Sequence, residues 1–298
     1  MLAPWLEVPG LSDRLEWYSA ATGLDLRAHG TTSDADTIRD TAVAQPLIVA
    51  ASLLSLRALL PDDAARAQVG VAAGHSVGEL AAAVVAGVLT DEQALVLVRE
   101  RGRAMAAAAA QTPTGMSAVL GGDPEAVTAR LAELDLTPAN VNGGGQVVAA
   151  GDLDALAALT AEPPAKARVI PLQVAGAFHT RFMASAVDRM ATLAGAVRPA
   201  DATVRLLSNA DGAEVTDGRD ALDRLVRQIA NPVRWDLCQE SLLAAGVSGL
   251  VELAPGGVLT GLAKRTLRGV ETVAVKTPDD LEAAADLVAR HAAVGADA

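Results

Sequence analysis

Residues 69–88, VGVAAGHSVGELAAAVVAGV, decide the fold. The run 69–73 is short and apolar and is followed by glycine, which predicts a strand buried on both faces. Residues 79–88 predict a helix. The glycines of GHSVG, residues 74–78, allow a tight turn between the two and raise Ser76 at the helix N-terminus, where its hydroxyl is exposed. Strand, sharp turn and helix in this order predict an α/β fold that presents a serine nucleophile.

Two long helices are predicted on either side of this stretch. Residues 41–60 form a mostly apolar segment, and we expect a buried helix that is entered through Gln45 and Pro46, since proline is tolerated in a first helical turn. Residues 91–110 predict a second helix, with Thr90 as its N-cap. Both helices are expected to pack against the strand and the serine turn.

Beyond residue 114 the pattern changes to six short elements. They read as strand (MSAVL), helix (DPEAVTARLAEL), strand (PANVN), strand (QVVAAG), helix (DLDALAALTA) and strand (ARVIPL). This βαββαβ order is typical of a ferredoxin-like unit. Strand-like TVRLLSN and GLVELAP then resume the larger unit. We therefore predict an α/β-hydrolase-like large domain with a parallel sheet, residues 1–113 and 175–298, and an inserted ferredoxin-like subdomain, residues 114–174.

Composition excludes several classes of function. The single cysteine, Cys238, allows neither an internal disulfide nor a metal site with several cysteine ligands. A net charge of −12 disfavours a nucleic-acid surface. No signal segment and no uncharged run of membrane-spanning length is apparent. We expect a cytoplasmic protein with no metal, no cofactor and no nucleic-acid or membrane partner.

The serine needs a base that takes its proton, and the chain has four histidines. His29 and His291 lie in polar segments near the termini. His75 is next to Ser76, but the geometry of the turn directs its side chain away. His179, in VAGAFHTRF, lies where the chain returns from the inserted unit to the sheet, and it is the best candidate for the base.

Two further groups complete the candidate site. The amide of Val77, the residue after the serine, points to where an oxyanion forms and is assisted by the helix dipole. Arg101 lies on the following helix, where a guanidinium can bind a substrate carboxylate with two hydrogen bonds. Its neighbours Arg99 and Arg103 are alternatives for that role.

These residues stand in segments that resemble the malonyl-CoA:acyl carrier protein transacylase family and the acyltransferase domains of polyketide and fatty acid synthases. The resemblance covers essentially the whole chain in the same order, through GHSVGE, the arginine of RG, NVNGGGQVV, GAFH, QIANPVRW and ELAPGGVLTGLAKR. It implies that Ser76 is the nucleophile and His179 the base, that Arg101 binds the malonyl carboxylate, and that the backbone carbonyl of Gln228 orients the base.

The resemblance also implies finer roles. Asn142, in the family's Asn-x-Asn stretch, is expected near the cleft, where it helps to position the ligand. Phe178, before the histidine, and Val77, within GHSVGE, match the malonyl-selecting pattern of the synthase relatives, so Phe178 would crowd an α-methyl group. Such a pocket discriminates by only about 1–3 kcal/mol per methyl.

The chain departs from the family at its start. Members open with a strand that runs into Gly-Gln-Gly-x-Gln, whose glutamine supplies a second oxyanion donor, whereas the first glutamine here is Gln45. Residues 1–10 resemble the family just downstream of that motif. We expect the natural reading frame to continue upstream with this motif.

The implied reaction is a ping-pong transfer from malonyl-CoA to the phosphopantetheine thiol of acyl carrier protein through a malonyl ester on Ser76. Two alternatives stay open. One is a serine hydrolase or thioesterase, which shares the serine turn but usually places an Asp or Glu between the serine and a late histidine. The other is an inactive relative that has lost its first strand.

Overall fold

The computed structural model describes residues 1–292, and five helices precede the first strand. A short 3-10 turn at Ala3–Glu7 precedes them. The α-helices of the described chain are α1 (Leu11–Thr22), α2 (Leu26–Thr31), α3 (Ala35–Arg39), α4 (Thr41–Leu59), α5 (Asp63–Arg66), α6 (Gly78–Val85), α7 (Asp91–Ala109), α8 (Pro124–Glu133), α9 (Leu153–Ala161), α10 (Ala184–Ala196), α11 (Gly218–Gln228), α12 (Trp235–Ala244), α13 (Val258–Thr266) and α14 (Leu281–Ala292).

The strands are short in the large domain and longer in the inserted unit, where antiparallel ladders form. They are β1 (Val71–Ala72), β2 (Thr114–Gly121), β3 (Thr137–Gly143), β4 (Gln146–Asp152), β5 (Ala167–Pro171), β6 (Arg205–Leu207), β7 (Glu214–Val215), β8 (Val233–Arg234), β9 (Gly249–Glu252) and β10 (Glu271–Ala274). The chain therefore has the mixed α/β fold that the sequence predicts, with a ferredoxin-like unit inserted in a larger one.

The parallel strands of the large domain form two separate groups rather than one sheet. β1 pairs in parallel with β6, to which β7 is antiparallel, while β9 and β10 form a parallel pair of their own. A cavity of about 1210 Å³ is lined by β1 and β9 and by side chains of α4, α6 and α13. The strand that the sequence analysis expects upstream of Met1 stays a prediction.

The inserted unit is a sheet covered by two helices. Its strand order is β5-β2-β4-β3-β8, and the first four strands pair antiparallel. Val127 and Leu131 of α8 and Leu156 and Leu159 of α9 pack on Val119 of β2 to form its own small core. β8 comes from the C-terminal segment and pairs in parallel with β3. The sheet therefore joins the insertion to the large domain, and the exact domain boundaries stay a prediction.

The start of α4 differs from the sequence analysis. The helix begins at Thr41, after Asp40, whose carboxylate accepts a hydrogen bond from the amide of Ala42 at 2.8 Å. Pro46 therefore lies inside the helix and not in its first turn, so the prediction of an entry through Gln45 and Pro46 is wrong. An aspartate cap satisfies the free amides of the first turn, and this fixes the start upstream of the proline.

α4 forms the centre of the largest core. It packs against α7 and α6, and its apolar residues, such as Leu53 and Leu54, are fully buried. It is the one helix among residues 1–292 that is long and apolar enough to cross a membrane, but 56% of that stretch is buried inside the molecule. Core burial explains its composition, because a helix that is apolar all round belongs either inside a protein or in a bilayer.

Candidate active site

Ser76 lies in the sharp turn between β1 and α6. Its φ is +51°, a left-handed conformation that is unfavourable for a residue with a side chain. The turn brings Gly74 and Gly78 together so closely that a Cβ added to Gly74 would lie 2.2 Å from the backbone of Gly78. Only glycine fits at position 74, and the turn therefore holds the serine in one place at the N-terminus of α6.

The serine and His179 form a hydrogen-bonded pair. Ser76 Oγ lies 2.6 Å from His179 Nε2, and His179 Nδ1 lies 2.8 Å from the backbone carbonyl oxygen of Gln228. Because a carbonyl oxygen only accepts, Nδ1 carries the proton and Nε2 is free to accept from the serine hydroxyl. His179 is buried and also has a positive φ of +61°. The imidazole is thus fixed in the tautomer that a general base needs.

Burial, and after it the positive charge of Arg101, lower the pKa of His179 to about 3. The imidazole is therefore neutral throughout the physiological range. A negative charge near Arg101 would offset part of this effect, because it would cancel the cation that disfavours the imidazolium.

Arg101, on α7, reaches the serine from another side. Its Nη2 donates to Gln228 Oε1 at 2.9 Å and lies 3.3 Å from Ser76 Oγ, and its Nη1 donates to Gln45 Oε1. The guanidinium is only 3% exposed, and burial lowers its pKa to about 10, so it remains charged. The side-chain amides of Gln45 and Gln228 hold the cation beside Ser76 Oγ.

Behind the turn lies a buried carboxyl group that the sequence analysis missed. Glu79 Oε1 accepts from the backbone amide of Asn209 at 2.8 Å, and Oε2 accepts from Gln228 Nε2. Burial raises the pKa of Glu79 to about 7. Glu79 is thus joined to Arg101 through the side chain of Gln228, which bonds to both.

The other predicted residues lie around the same turn. Val77 is the N-cap residue directly before α6, so its amide lies at the positive end of the helix. Phe178 immediately precedes His179 and packs against both the large core and the apolar face of the inserted sheet. Asn142 Oδ1 lies 2.8 Å from His75 Nε2 at the edge of the cleft. Asn142 therefore contacts the turn through His75, and its Oδ1 is already engaged.

The alternatives considered for base and cation lie elsewhere. His75 is turned away from Ser76 and packs edge-on against Trp235 at 5.7 Å. His29 bonds to Ser33, and His291 to Ser248 and Glu271.

Nor do the neighbouring arginines reach the serine. Arg99 and Arg103 make ion pairs with Glu100. Among residues 1–292, no group of three potential His, Cys, Asp or Glu ligands could hold a metal.

Four polar groups in the site escaped the sequence analysis: Gln45, Glu79, Asn209 and the side chain of Gln228. Signals for two of them exist, since Gln45 is a polar residue in an otherwise apolar helix and Glu79 directly follows the serine turn. Nothing in the local sequence marks Asn209, which follows β6 and meets the turn only in the folded chain.

Comparison with known proteins gives matches over nearly the whole chain. Residues 14–285 match the protein family described as the acyl transferase domain. A malonyl CoA-acyl carrier protein transacylase of Mycobacterium tuberculosis is 53% identical over 287 residues, which cover 96% of this chain and 95% of that protein. The crystal structure of MCAT from Mycobacterium tuberculosis superposes with a TM-score of 0.91 at 52% identity, covering 95% of this chain and 94% of that one.

A further solved structure contains a carrier. It is a type II PKS acyl-carrier protein in complex with its malonyl-transacylase, with a TM-score of 0.86 and 30% identity, covering 96% of this chain and 94% of that chain.

Proposed function

This chain belongs to the acyl transferase domain family, and we propose that it moves a malonyl group through a covalent ester on Ser76, with His179 as the base. It transfers malonyl from malonyl-CoA to acyl carrier protein, in fatty acid or polyketide synthesis. The observation that best supports these residue roles is the position of Arg101, whose Nη2 lies 3.3 Å from Ser76 Oγ, the proposed attacking oxygen.

The first half-reaction forms the ester. Ser76 Oγ bonds to the thioester carbonyl carbon while its proton passes to His179 Nε2, 2.6 Å away. The oxyanion that results lies against the Val77 amide at the positive end of α6. The carbon–sulfur bond then breaks, and the coenzyme A sulfur takes the proton from Nε2. The second half-reaction reverses these steps with the phosphopantetheine thiol of the carrier.

Arg101 distinguishes this reaction from general acyl transfer. The carboxylate of malonyl is two carbon–carbon bonds from the attacked carbon, so a cation beside Ser76 Oγ lies within its reach. The guanidinium already donates to two glutamine side chains, and a carboxylate that displaces the contact with Ser76 would accept from its remaining N–H groups. We expect Phe178, next to His179, to restrict space at the α-carbon, and Asn142 to help position the ligand from the cleft edge.

The carboxylate also prepares the base. In the free protein, the charge of Arg101 contributes to the depressed pKa of His179. A bound malonyl carboxylate neutralises that charge, and the developing oxyanion adds a negative charge nearby, so the imidazolium becomes less unfavourable in the transition state. An acyl group without the carboxylate loses this assistance.

The hydrolase alternative makes a different prediction for carrier-free reactions. The orienting partner of His179 is the Gln228 carbonyl and not a carboxylate, which favours the transferase. Incubation with radiolabelled malonyl-CoA tests this point: without carrier we expect at most one equivalent of coenzyme A released per protein, and with holo acyl carrier protein we expect repeated turnover to malonyl-carrier. Continuous release of free malonate without carrier would establish a hydrolase.

A cytoplasmic location is part of the proposal. The fold is that of a soluble protein, because α4, the helix with membrane-spanning length, packs mostly inside the molecule. The lone cysteine is buried and unpaired in the described chain, which suits a reducing compartment.

A further inference from the structure

The nucleophile is held by groups that make no contact with its hydroxyl. Asn209 Oδ1 accepts from the backbone amide of Ser76 at 2.8 Å, and Asn209 Nδ2 donates to the carbonyl oxygen of Gly74 at 2.7 Å. One carboxamide therefore bridges two peptide groups that flank His75 in the turn. Asn209 is fully buried at the end of β6, 133 residues from Ser76 in sequence.

This bridge acts at a strained position. The left-handed conformation of Ser76 is unfavourable and persists only where the surroundings enforce it. The helix α6 fixes the chain after Ser76, and β1 ends four residues before it. The carboxamide of Asn209 supplies two contacts to the short segment between them, including the amide of the strained residue itself.

The orientation of the carboxamide is fixed by its other neighbours. Gln228 Nε2 donates to Asn209 Oδ1 at 3.1 Å, and the backbone amide of Asn209 donates to Glu79 Oε1 at 2.8 Å. A flipped carboxamide would set Nδ2 against the donors of Ser76 and Gln228, and Oδ1 against the carbonyl of Gly74. The hydrogen bonds therefore allow one orientation only.

The same atoms lead to the base and the cation. Gln228 Nε2 lies 3.2 Å from the Ser76 carbonyl oxygen, Gln228 Oε1 accepts from Arg101, and the Gln228 backbone carbonyl binds His179. We propose that Asn209 is a positioning residue for the reaction: its carboxamide holds the Ser76 backbone in the left-handed conformation and, through Gln228, in line with His179 and Arg101. The proposal rests on Ser76 being the nucleophile.

The test replaces the carboxamide in two ways in the full chain. Asn209→Ala removes both contacts to the turn. Asn209→Asp keeps the shape of the side chain and the oxygen that accepts from the Ser76 amide. When ionised, its second oxygen can only accept and therefore opposes the Gly74 carbonyl oxygen, whereas a protonated carboxyl group can donate to that oxygen. Ser55→Ala is the matched control, since Ser55 is equally buried and also makes two hydrogen bonds to the main chain, with Ser52 and Ala254.

Single-turnover formation of the malonyl ester and steady-state transfer give the readouts, with the thermal midpoint alongside. Misplacement of a reacting group by about 1 Å can cost on the order of 100-fold, so we expect Asn209→Ala to lower kcat about 10- to 100-fold with KM for malonyl-CoA within about twofold. Asn209→Asp should regain rate, relative to wild type, as the pH falls from 8 to 6, because burial favours the protonated carboxyl. Ser55→Ala should lose stability and keep its rate.

Other results would overturn the proposal. It fails if Asn209→Ala keeps a kcat within about twofold of wild type, if Asn209→Ala raises KM alone, or if Ser55→Ala loses as much rate as Asn209→Ala. It also fails if the rate of Asn209→Asp relative to wild type does not depend on pH. This comparison does not involve Asn209→Ala and remains valid even if that variant does not fold. A fluorophosphonate requires only an aligned serine and base. The rate at which it reacts with Ser76 therefore distinguishes a failure of this proposal from a failure of the proposed function.

Discussion

Removal of Arg101 should invert the acyl selectivity of the site. In Arg101→Ala, a malonyl carboxylate loses its buried cation, while an acetyl group loses nothing that it contacts. Acetyl transfer should hold or rise, because the charge of Arg101 depresses the pKa of His179 and its removal makes the base stronger. Malonyl transfer should fall because a buried carboxylate without a partner is strongly unfavourable.

The size of the effect follows from the geometry. Hydrogen bonds to charged groups contribute about 1.5–3 kcal/mol each, and the two terminal nitrogens of Arg101 already share their donors with Gln45 and Gln228. A loss of about 2–4 kcal/mol of transition-state binding is therefore expected, which is about 30- to 1000-fold in kcat/KM for malonyl-CoA. Arg101→Lys should recover part of this loss, since it keeps the charge but not the paired donors.

The assay compares malonyl-CoA with acetyl-CoA as donor to holo acyl carrier protein. Arg103→Ala is the matched control, because Arg103 lies two residues away on α7 with a side chain that is 47% exposed and forms an ion pair with Glu100. This control should leave both activities unchanged. Equal losses of malonyl and acetyl transfer in Arg101→Ala would refute the reasoning and assign Arg101 to the support of Gln45 and Gln228.

Three further predictions follow from the charges and hydrogen bonds of the site. The single-turnover rate of wild-type ester formation should stay level from pH 8 to below 6, because the pKa of His179 is lowered to about 3, and an inflection near the ordinary histidine value of 6.5 would contradict this. The free energy of unfolding of wild type, measured in urea relative to that of Glu79→Gln, should fall by about 3 kcal/mol between pH 4 and 8. A carboxyl whose pKa is raised from 4.5 to about 7 stabilises the fold while it is protonated, and this contribution is lost as the pH rises through 7. A difference between the two proteins that does not change with pH would mean that Glu79 is not buried as described. Gln45→Ala should raise KM for malonyl-CoA by a larger factor than it lowers the rate of acetyl transfer, because Gln45 holds one end of the Arg101 guanidinium. Equal effects on the two acyl donors would contradict that role.

Local sequence signals predict the helices and the turn well. The helix at 91–110 is observed as α7, Asp91–Ala109, and Thr90 and Gln93 form a full capping box at its start. The six elements of the insertion also lie where their patterns place them, because turn residues and caps such as Asp123 and Gly143–Gly145 act over a few residues. Caps and turn residues act between near neighbours in the chain, so one sequence is enough to identify them.

Long-range pairing could not be predicted in the same way. The two separate groups of parallel strands depend on which edges meet in the folded chain, and strands as short as Val71–Ala72 contain little information about their partners. The start of α4 is set by the cap at Asp40, and the proline at 46, which is also typical of a first helical turn, lies inside the helix.

The site shows the same limit. The GHSVG turn marks Ser76 and elimination among four histidines leaves His179, and the structure places their side chains 2.6 Å apart. The contacts of Glu79 and Gln228 with Asn209 join residues that are 130 and 19 positions apart, and no local pattern specifies such a buried network. Ser76 and His179 could be proposed from the sequence, whereas the polar groups around them were visible only in three dimensions.

Intact-mass analysis of the protein after brief exposure to malonyl-CoA without carrier tests most directly whether Ser76 carries the malonyl group. The wild-type chain should gain one adduct of about 86 Da, the malonyl increment by formula mass, which disappears on addition of holo acyl carrier protein. Ser76→Ala should show no adduct while it keeps its thermal midpoint. Ser241→Ala, which removes a hydroxyl that donates to the Gly212 carbonyl oxygen, should label as wild type does. An adduct of the same mass and yield on Ser76→Ala would contradict the account.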